Sequence, residues 1–352
     1  MLGTLLTKHL LRQLTEEKIP TVYASKCTNA RQKKTFCSAC VDACPNKALS
    51  YKNGINISSD LCNDCNLCAS ICPSVVFVPR MESLEKLYRS VHEQKVVTVS
   101  CESSANKDVL KVGCICELPW ELMAYICLDQ KLSLDLSHCH SCDRENAKTI
   151  ITKNLERLKV FLDEEHFSKQ VHVKYEEEIN DGNEITRREL FTYMMNQSKQ
   201  AVVISAPFLF PKNNDARIYR SMLVQKVKRL QEKEIRNYGW NTVLVTNSCY
   251  GCGICEKLCP QQAIQIVDEE ERRYFVHNYA KCTHCGICST VCIMSAPVLS
   301  YCIKSGEQLI TACEIEVNNC FECKDPIPPT EDGLCVICRR KQSKKRGKNG
   351  TK

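Results

Sequence analysis

The order of apolar and polar residues predicts a chain that mixes helices and strands. Apolar residues from Leu2 to Leu14 recur at helical spacing, which predicts a helix within residues 1–26. Another helix is predicted to begin near Met81. After it come three apolar runs of strand length and a helix predicted at Pro119–Leu128. The three predicted strands are Val96–Ser100, Lys111–Ile115 and Leu132–Leu136.

The segment that follows contains no cysteine and predicts a mixed helical insert, residues 151–245. Its polar run at residues 180–183 predicts a turn. The predicted helices are Leu155–Glu165, Arg187–Gln197 and Arg217–Lys233, and the predicted strands are Val171–Tyr175 and Ala201–Ser205.

Cysteine is the outstanding feature of the composition. The chain has 352 residues and 28 cysteines, with 25% charged and 43% hydrophobic residues. In a small secreted protein this density would indicate disulfides. Here the chain is long, its first residues follow no secretory pattern, and the cysteines stand at two- and three-residue spacings, which favour metal ligation. Thiolate ligation predicts a reducing compartment, the cytoplasm, and no apolar run is long enough to span a bilayer.

Eight cysteines within residues 246–300 follow one spacing twice. Three cysteines at x₂ intervals can wrap a loop around one four-iron cluster, and the fourth then reaches a second cluster. A hairpin is predicted between the runs, at Ala263–Val267 and Tyr274–Val276. The runs are Cys249-x₂-Cys252-x₂-Cys255-x₃-Cys259-Pro260 and Cys282-x₂-Cys285-x₂-Cys288-x₃-Cys292. They predict two ligand sets, the Cys249 group (Cys249, Cys252, Cys255, Cys292) and the Cys282 group (Cys259, Cys282, Cys285, Cys288).

Residues 27–80 repeat this pattern with one departure. The run Cys62-x₂-Cys65-x₂-Cys68-x₃-Cys72-Pro73 is complete, whereas Cys37-x₂-Cys40-x₃-Cys44-Pro45 is preceded by Lys34 at the expected first cysteine. Asn53–Gly54 predicts a hairpin turn within Ser50–Ile57. The ligand sets predicted here are the Cys62 group (Cys44, Cys62, Cys65, Cys68) and the Cys37 group (Cys27, Cys37, Cys40, Cys72). In the Cys37 group, Cys27 is predicted to fold back as the fourth ligand. The alternatives are that this group holds a three-iron cluster or a labile site.

Both modules resemble the ferredoxin family whose members carry two [4Fe–4S] clusters. The resemblance covers residues 27–80 and 246–300, about a third of the chain. It implies a βαβ-βαβ fold in each module, four clusters in all, and electron transfer without bond chemistry. Four clusters imply a conduit or a small electron reservoir.

The formal net charge of +7 comes from the C-terminal residues, since residues 339–352 carry eight basic side chains and no acidic one. Each oxidised four-iron cluster with four thiolates carries about −2, which the residue count omits. We therefore do not expect nucleic acid as a partner. A basic disordered tail is predicted at residues 341–352. Docking to an acidic partner or to nucleic acid is the alternative role of this tail.

Six more cysteines lie between the modules, and three of them, Cys101, Cys114 and Cys139, stand at strand ends, where loops of α/β units converge. The layout resembles the [2Fe–2S] delta subunit of methyl-viologen-reducing hydrogenase, although the closing motif is shorter and lacks its second histidine. The resemblance implies a [2Fe–2S] cluster on the Cys101 group (Cys101, Cys114, Cys139, Cys142). Cys116 is a substitute candidate for Cys114, and Cys127 is predicted as a core residue. A zinc or redox-dithiol site and buried free thiols remain open.

The last four cysteines form two x₂ pairs around a segment rich in proline and glycine. This Cys320 group (Cys320, Cys323, Cys335, Cys338) predicts a structural zinc ribbon. Rubredoxin-type iron on the same thiolates is the rival interpretation. Cys302 and Cys313 have no partner spacing and stay unassigned.

The prediction as a whole is an α+β chain. Two ferredoxin-like 2[4Fe–4S] modules are separated by a small α/β domain and a helical segment, with a zinc ribbon at the C-terminus. The predicted domains are the N-terminal helix (1–26), the first module (27–80), the α/β domain (81–150), the insert (151–245), the second module (246–300), the ribbon (301–340) and the basic tail (341–352).

Electron transfer is the predicted function. The sequence has no dinucleotide fingerprint, P-loop or HExxH pair, so catalysis by this chain alone is not expected. We predict an accessory subunit that carries electrons between a redox partner of the flavoprotein, hydrogenase or molybdoenzyme type and a larger oxidoreductase. One alternative is a redox-responsive regulator whose zinc ribbon and basic tail contact nucleic acid. Another is a reductase whose substrate binds the middle domain.

Overall fold

The protein is described by a computed structural model that combines helices with sheets, in line with the α+β prediction. Predicted features outside the described residues are the apolar repeat at residues 2–14, Lys34, the helix near Met81, the helix Arg187–Gln197, the turn at 180–183 and the strand Ala201–Ser205. No helix in the described part of the chain is long and apolar enough to cross a membrane. The described residues are 19–32, 37–78, 91, 94–104, 109–142, 144, 146–175, 218–231, 236–269, 272–305, 310–316, 318–328 and 332–349.

The first module contains a hairpin at the predicted place. Strand Leu49–Tyr51 pairs with Ile55–Ile57. The turn between them has positive φ at both Asn53, 56°, and Gly54, 133°. A tight hairpin turn needs this left-handed backbone, which Asn and Gly adopt more readily than other residues. Two helices, Ala39–Asp42 and Leu67–Ile71, each lie within a cysteine run.

A second strand pair closes this module and corrects the N-terminal prediction. Thr21–Val22 pairs antiparallel with Phe77–Val78, and Ala24–Lys26 and Asn29–Arg31 are 3₁₀ turns. The helix predicted within residues 1–26 therefore does not extend to Lys26. The backbone at Thr21–Val22 forms its hydrogen bonds with a distant strand, a pairing that local periodicity does not encode.

The middle domain is built on a four-stranded parallel sheet. The three predicted strands and the predicted helix are present, with slightly different bounds, and the helix Trp120–Cys127 is buried along most of its length. Val97, Val99, Leu132 and Leu134 are fully buried at alternate positions of two central strands. In spatial order the strands are Leu110–Val112, Val96–Cys101, Lys131–Asp135 and Val171–Lys174.

The predicted domain boundary at residue 150 falls inside the helix Ala147–Leu162. This helix buries Ile150, Leu158 and Phe161 in the same core as the sheet. A second helix, Glu164–Gln170, leads into the fourth parallel strand. Residues up to 174 thus complete the α/β domain instead of opening a separate insert. A parallel strand can join a sheet only after a crossover connection, and this helix provides it.

The helix Ile218–Gln231 joins the middle domain to the second module, at the place predicted for Arg217–Lys233. It packs against the helix Trp120–Cys127. The buried Lys226 ammonium donates to the Tyr125 carbonyl oxygen at 2.7 Å and to Asp129 at 2.5 Å. Near the start of the helix, Arg220 donates to backbone carbonyls of the second module.

The second module has two antiparallel sheets. Asn237–Val245 pairs with Pro297–Ser305 along its length, and Ile264–Glu269 forms the predicted hairpin with Arg272–Asn278. Ile310–Ile315 adds a third strand to that hairpin. Residues 301–305 and 310–315, predicted as the start of the ribbon, therefore belong to the sheets of this module. The helices within the cysteine runs are Ile254–Leu258 and Ile287–Val291.

A close approach of backbones joins this module to the helix of the middle domain. A Cβ atom added to Gly239 would lie 1.9 Å from the carbonyl oxygen of Val160. Phe161 beside it stacks on Tyr238 at 4.9 Å between ring centroids and meets Trp240 edge-on at 5.3 Å. One apolar core consequently continues from Leu67 of the first module through the middle sheet to Trp240.

The C-terminal piece contains the strand pair Asn318–Asn319 and Pro326–Ile327 and the helix Val336–Asn349. The tail predicted as disordered from residue 341 is therefore helical as far as Asn349. The helix starts in the last cysteine pair, where the Arg339 amide donates to the Cys335 carbonyl oxygen at 2.9 Å. Lys, Arg and Gln are good helix formers, so the tail extends a turn that the cysteine pair has begun.

Candidate functional site

The two cysteine groups of the second module line two separate pockets. All four members of the Cys249 group surround one pocket of about 400 Å³, mouth included. All four members of the Cys282 group surround a second one of about 310 Å³. Cys255 and Cys288 pack in the same apolar cluster, and the charge of Cys255 contributes to the raised pKa of Cys288. The pockets are thus neighbours.

The first module has the same arrangement. The Cys62 group lines a pocket of about 380 Å³, and the Cys37 group lines another of about 380 Å³. Cys27 belongs to the second pocket, although it lies outside the repeated spacing. The structure therefore brings Cys27 together with Cys37, Cys40 and Cys72, the set that the sequence predicted.

Asn29 explains why Cys27 lies in this pocket. Its side-chain amide donates to the Cys37 carbonyl oxygen at 2.6 Å, and its side-chain oxygen accepts from the Cys37 amide at 3.1 Å. The residue is only 5% exposed. This two-point contact holds the 3₁₀ turn Asn29–Arg31 against the cysteine run, so that Cys27, at the start of the turn, faces the other three thiols.

Three of the cysteines that end a run, each after an x₃ spacing, accept hydrogen bonds from the backbone in the same way. The sulfur atoms of Cys44, Cys72 and Cys259 lie 3.2 to 3.5 Å from the amide nitrogen four residues later. An N–H donor stabilises a thiolate more than a neutral thiol. These loops therefore have the geometry to hold negatively charged sulfur.

Burial has the opposite effect on the pocket thiols. It raises the pKa of Cys40 to about 11 and that of Cys72 to about 12, and neighbouring thiols add to both shifts. In the Cys282 group, burial likewise raises the pKa of Cys282 to about 11. The thiols of one pocket cannot all ionise without positive charge between them. Iron supplies that charge, so the donor sets fit an iron–sulfur cluster.

Sulfur spacing separates these groups from the Cys320 group. Among the described residues, the Cys320 group alone has all its ligand atoms within 4.8 Å of one another. The Cys323 and Cys335 sulfur atoms are 3.7 Å apart. A tetrahedral ion with Zn–S bonds of about 2.3 Å needs sulfur atoms about 3.8 Å apart. The Cys320 group thus has the spacing of a single-ion site, whereas the groups of the two modules are spread more widely.

Backbone amides also point at the Cys320 group. The Cys335 amide donates to the Cys320 sulfur and the Cys338 amide to the Cys335 sulfur, both at 3.3 Å. Hydrogen bonds from the amides of Cys323 and Cys335 lower the pKa of Cys320 to about 6. These hydrogen bonds favour the thiolate form of Cys320, which is the form that binds a metal ion.

Comparison with known proteins identifies part of the chain. Residues 248–296 match the family model of a 4Fe-4S dicluster domain. The matched range contains every member of the Cys249 and Cys282 groups. Among curated proteins, none matches the chain. The chain is therefore an iron–sulfur protein, and its dicluster domain and cysteine groups support a role in electron transfer.

The Cys101 group gathers where three parallel strands end. Cys101 ends one strand, Cys114 follows the next, and Cys139 lies in the 3₁₀ turn Ser137–His140. Burial raises the pKa of Cys139 to about 11, and the charges of Cys114, Cys101 and Cys142 raise it further. All four thiols are thus close enough to interact.

Cys114 differs from the other thiols of the Cys101 group. Hydrogen bonds from the Cys116 thiol and from Arg144 lower its pKa to about 6. The Cys116 sulfur also lies 2.9 Å from the Ala147 carbonyl oxygen. A thiol has one proton, so Cys116 can serve only one of these acceptors at a time. Cys127, by contrast, is a buried core residue, as predicted.

Sequence reasoning missed the residues that support the cysteine groups. Asn29 hydrogen-bonds the Cys37 backbone. Arg144 donates to the Gly113 carbonyl oxygen beside Cys114 and lowers the pKa of that thiol. His277 is fully buried against the Cys282 group. Arg144 could have been suspected from its place two residues after Cys142. The other two have no signal in the spacing, because their contacts link distant segments.

Proposed function

We propose that the protein is a multi-cluster electron carrier in which each of the four module groups binds one [4Fe–4S] cluster. The observation that carries this proposal is that four pockets of similar size are each lined by four cysteines. The cysteines of two of these pockets all lie in the range that matches the dicluster family. The other two pockets belong to the first module and are lined by the Cys37 and Cys62 groups.

When bound, a four-iron cluster supplies a one-electron couple. The thiolates of the Cys249, Cys282, Cys62 and Cys37 groups would hold the iron. The chain's other residues act on that couple electrostatically. Amide donors such as Ala48 N–H, 3.2 Å from the Cys44 sulfur, stabilise the extra negative charge of the reduced state. Burial of the cysteines restricts the access of water to the cluster. Low access of water favours the oxidised state, because that state carries less negative charge than the reduced one.

The remaining groups extend the proposal. The Cys101 group would bind a [2Fe–2S] cluster, which is supported by the mutual interaction of its thiols. The Cys320 group would bind a structural zinc ion, which is supported by sulfur spacing suited to one ion. The protein would then act as an accessory subunit that exchanges electrons with a flavoprotein, hydrogenase or molybdoenzyme partner.

The test is a metal and acid-labile sulfide analysis of anaerobically purified protein, with EPR of the reduced form. We expect about 16 iron atoms from the four module groups and about 18 if the Cys101 group holds a two-iron cluster. One zinc atom is expected beside them. About 8 iron atoms with several zinc atoms would refute the four-cluster proposal.

A second candidate function is redox-responsive regulation through nucleic acid. The observation that favours it is the helix Val336–Asn349, which has many basic residues, no acidic one, and continues directly from the Cys320 group. A regulator should bind DNA with an affinity that falls steeply as salt rises and that changes between reduced and oxidised protein. If DNA binding is weak and equal in the reduced and the oxidised protein, the regulator function is refuted and only the carrier function remains.

A further inference from the structure

His277 is a fully buried histidine of the second module, with 0% of its surface exposed. It lies in the strand Arg272–Asn278 and lines the pocket of the Cys282 group. Because side chains alternate along a strand, His277 shares its face of the sheet with Phe275, two residues earlier. Phe275 packs in one apolar cluster with Cys288 of that group. The strand therefore places the imidazole of His277 on the side of the sheet that faces the proposed ligand cysteines.

The ring nitrogens of His277 are both buried, and neither has a hydrogen-bond partner among the residues that the structure describes. An imidazole carries at least one N–H in each of its protonation states, so one donor is left without an acceptor. Buried polar groups are nearly always hydrogen-bonded, and an exception points to an acceptor that is not part of the chain, such as a bound group. The sulfur atoms of an iron–sulfur cluster accept hydrogen bonds. A cluster on the Cys282 group therefore fits this orphaned donor.

The first module offers an internal comparison, because its hairpin has the same register. Ile264 pairs with His277 in the second module, and Leu49 pairs with Ile57 in the first. His277 and Ile57 each stand five residues before the first cysteine of their module's second run. Ile57 lines the pocket of the Cys62 group, as His277 lines that of the Cys282 group. The two positions are therefore equivalent, and only the second module has a side-chain hydrogen-bond donor there.

A second equivalent position differs in the same direction. His284 stands two residues after Cys282, and Asp64 stands two residues after Cys62. Both have a left-handed backbone, with φ of 62° and 56°, and each lines the pocket of its own group. A carboxylate near a cluster repels the electron that reduction adds, whereas an imidazole does not. The surroundings of the Cys282 group thus favour reduction more than those of the Cys62 group.

We propose that His277 donates a hydrogen bond to a sulfur atom of the cluster on the Cys282 group and makes this cluster easier to reduce than the equivalent cluster on the Cys62 group. The proposal rests on the proposed function and ranks two of its four clusters. Reduction adds one negative charge, which an N–H donor stabilises, so the reduction potential becomes more positive. Ile57 offers no such donor. One electron from a reduced protein partner would therefore be held on the Cys282 group in preference to the Cys62 group.

The test exchanges the residues of the two equivalent positions. In His277→Ile the reduced-to-oxidised ratio of the Cys282-group cluster at a fixed potential should fall about tenfold, which is a shift of about 59 mV to more negative potential. Ile57→His should shift the Cys62-group cluster to more positive potential. His277→Gln keeps a side-chain N–H and should give a smaller shift than His277→Ile. His172→Ile, at an exposed histidine of a middle-domain strand, is the matched control and should shift no cluster.

The measurement is an anaerobic redox titration followed by EPR, with iron and sulfide counted on every sample. The signal of the Cys282 group is assigned by the change that Cys285→Ser causes, and that of the Cys62 group by Cys65→Ser. A negative shift confined to the signal assigned through Cys285, in His277→Ile at an unchanged iron count, supports the proposal.

Other outcomes would overturn it. An unchanged potential in His277→Ile, or an equal shift of every signal, overturns the proposal while the four-cluster function stands. If His277→Ile loses iron, Ile57→His decides: a positive shift of the signal assigned through Cys65 supports the proposal, and an unchanged potential overturns it. An iron count near half in the unsubstituted protein overturns both the proposal and the four-cluster function.

Discussion

Asn29 offers the sharpest test of how Cys27 is held in its pocket. Asn29→Ala removes both hydrogen bonds to the Cys37 backbone, the 2.6 Å bond to its carbonyl oxygen and the 3.1 Å bond from its amide. The site is only 5% exposed, so water replaces these partners poorly. At about 1 kcal/mol for each net hydrogen bond, the closed form of the loop loses about 2 kcal/mol.

This loss of free energy predicts a faster release of iron from the Cys37 group. About 2 kcal/mol corresponds to about 30-fold in the equilibrium between the closed and the open loop. If iron leaves the Cys37 group through the open loop, release from this cluster should accelerate by the same factor. The assay is anaerobic incubation of the protein with an Fe(II) chelator, in which the fastest phase of iron release is followed by absorbance.

The matched control is Asn56→Ala in the same module. Asn56 also makes two hydrogen bonds to backbone carbonyls, those of Lys52 at 3.1 Å and Gly54 at 3.0 Å, but it is exposed and touches no cysteine group. Its substitution should leave every phase of iron release unchanged. The reasoning would be refuted if Asn29→Ala changed the fastest phase by less than about threefold, or if it accelerated all phases equally.

Three further substitutions test other parts of the structure. Cys27→Ala should leave the Cys37 group with three thiolates, and EPR of the oxidised protein should then show a three-iron signal; an unaltered four-iron spectrum would mean that Cys27 is no ligand. Cys335→Ala should remove about one metal ion per chain without changing the iron–sulfur content, and metal analysis would contradict this if iron fell instead. Gly239→Ala should cost several kcal/mol, roughly 3 or more, because its Cβ would lie 1.9 Å from the Val160 carbonyl oxygen. Gly113→Ala, whose nearest neighbour is a side-chain atom at 3.9 Å, is its control in thermal unfolding, and equal melting temperatures would contradict the close approach.

Local chemistry made parts of the fold predictable. The hairpin in the first module follows from Asn53–Gly54, since few other residue pairs accept two left-handed backbone positions in succession. The strands and helix of the middle domain follow from apolar runs bounded by polar residues, and the sheet buries the predicted positions. Prediction failed where an element depends on a distant partner. The strand Thr21–Val22 exists through Phe77–Val78, and the strand Ile310–Ile315 through Arg272–Asn278.

The sequence by itself predicted most members of the module groups, because x₂ and x₃ spacings let a short loop surround one cluster and reach the next. Tertiary structure decided how those groups are supported and connected. Asn29 holds the turn next to Cys27 against the Cys37 backbone. The Gln261 side-chain amide of the second module donates to the Ser74 carbonyl oxygen of the first. These contacts join residues from separate segments, 187 positions apart in the case of Ser74 and Gln261. Spacing along the chain determines only what a loop can surround, whereas tertiary packing determines which loops meet.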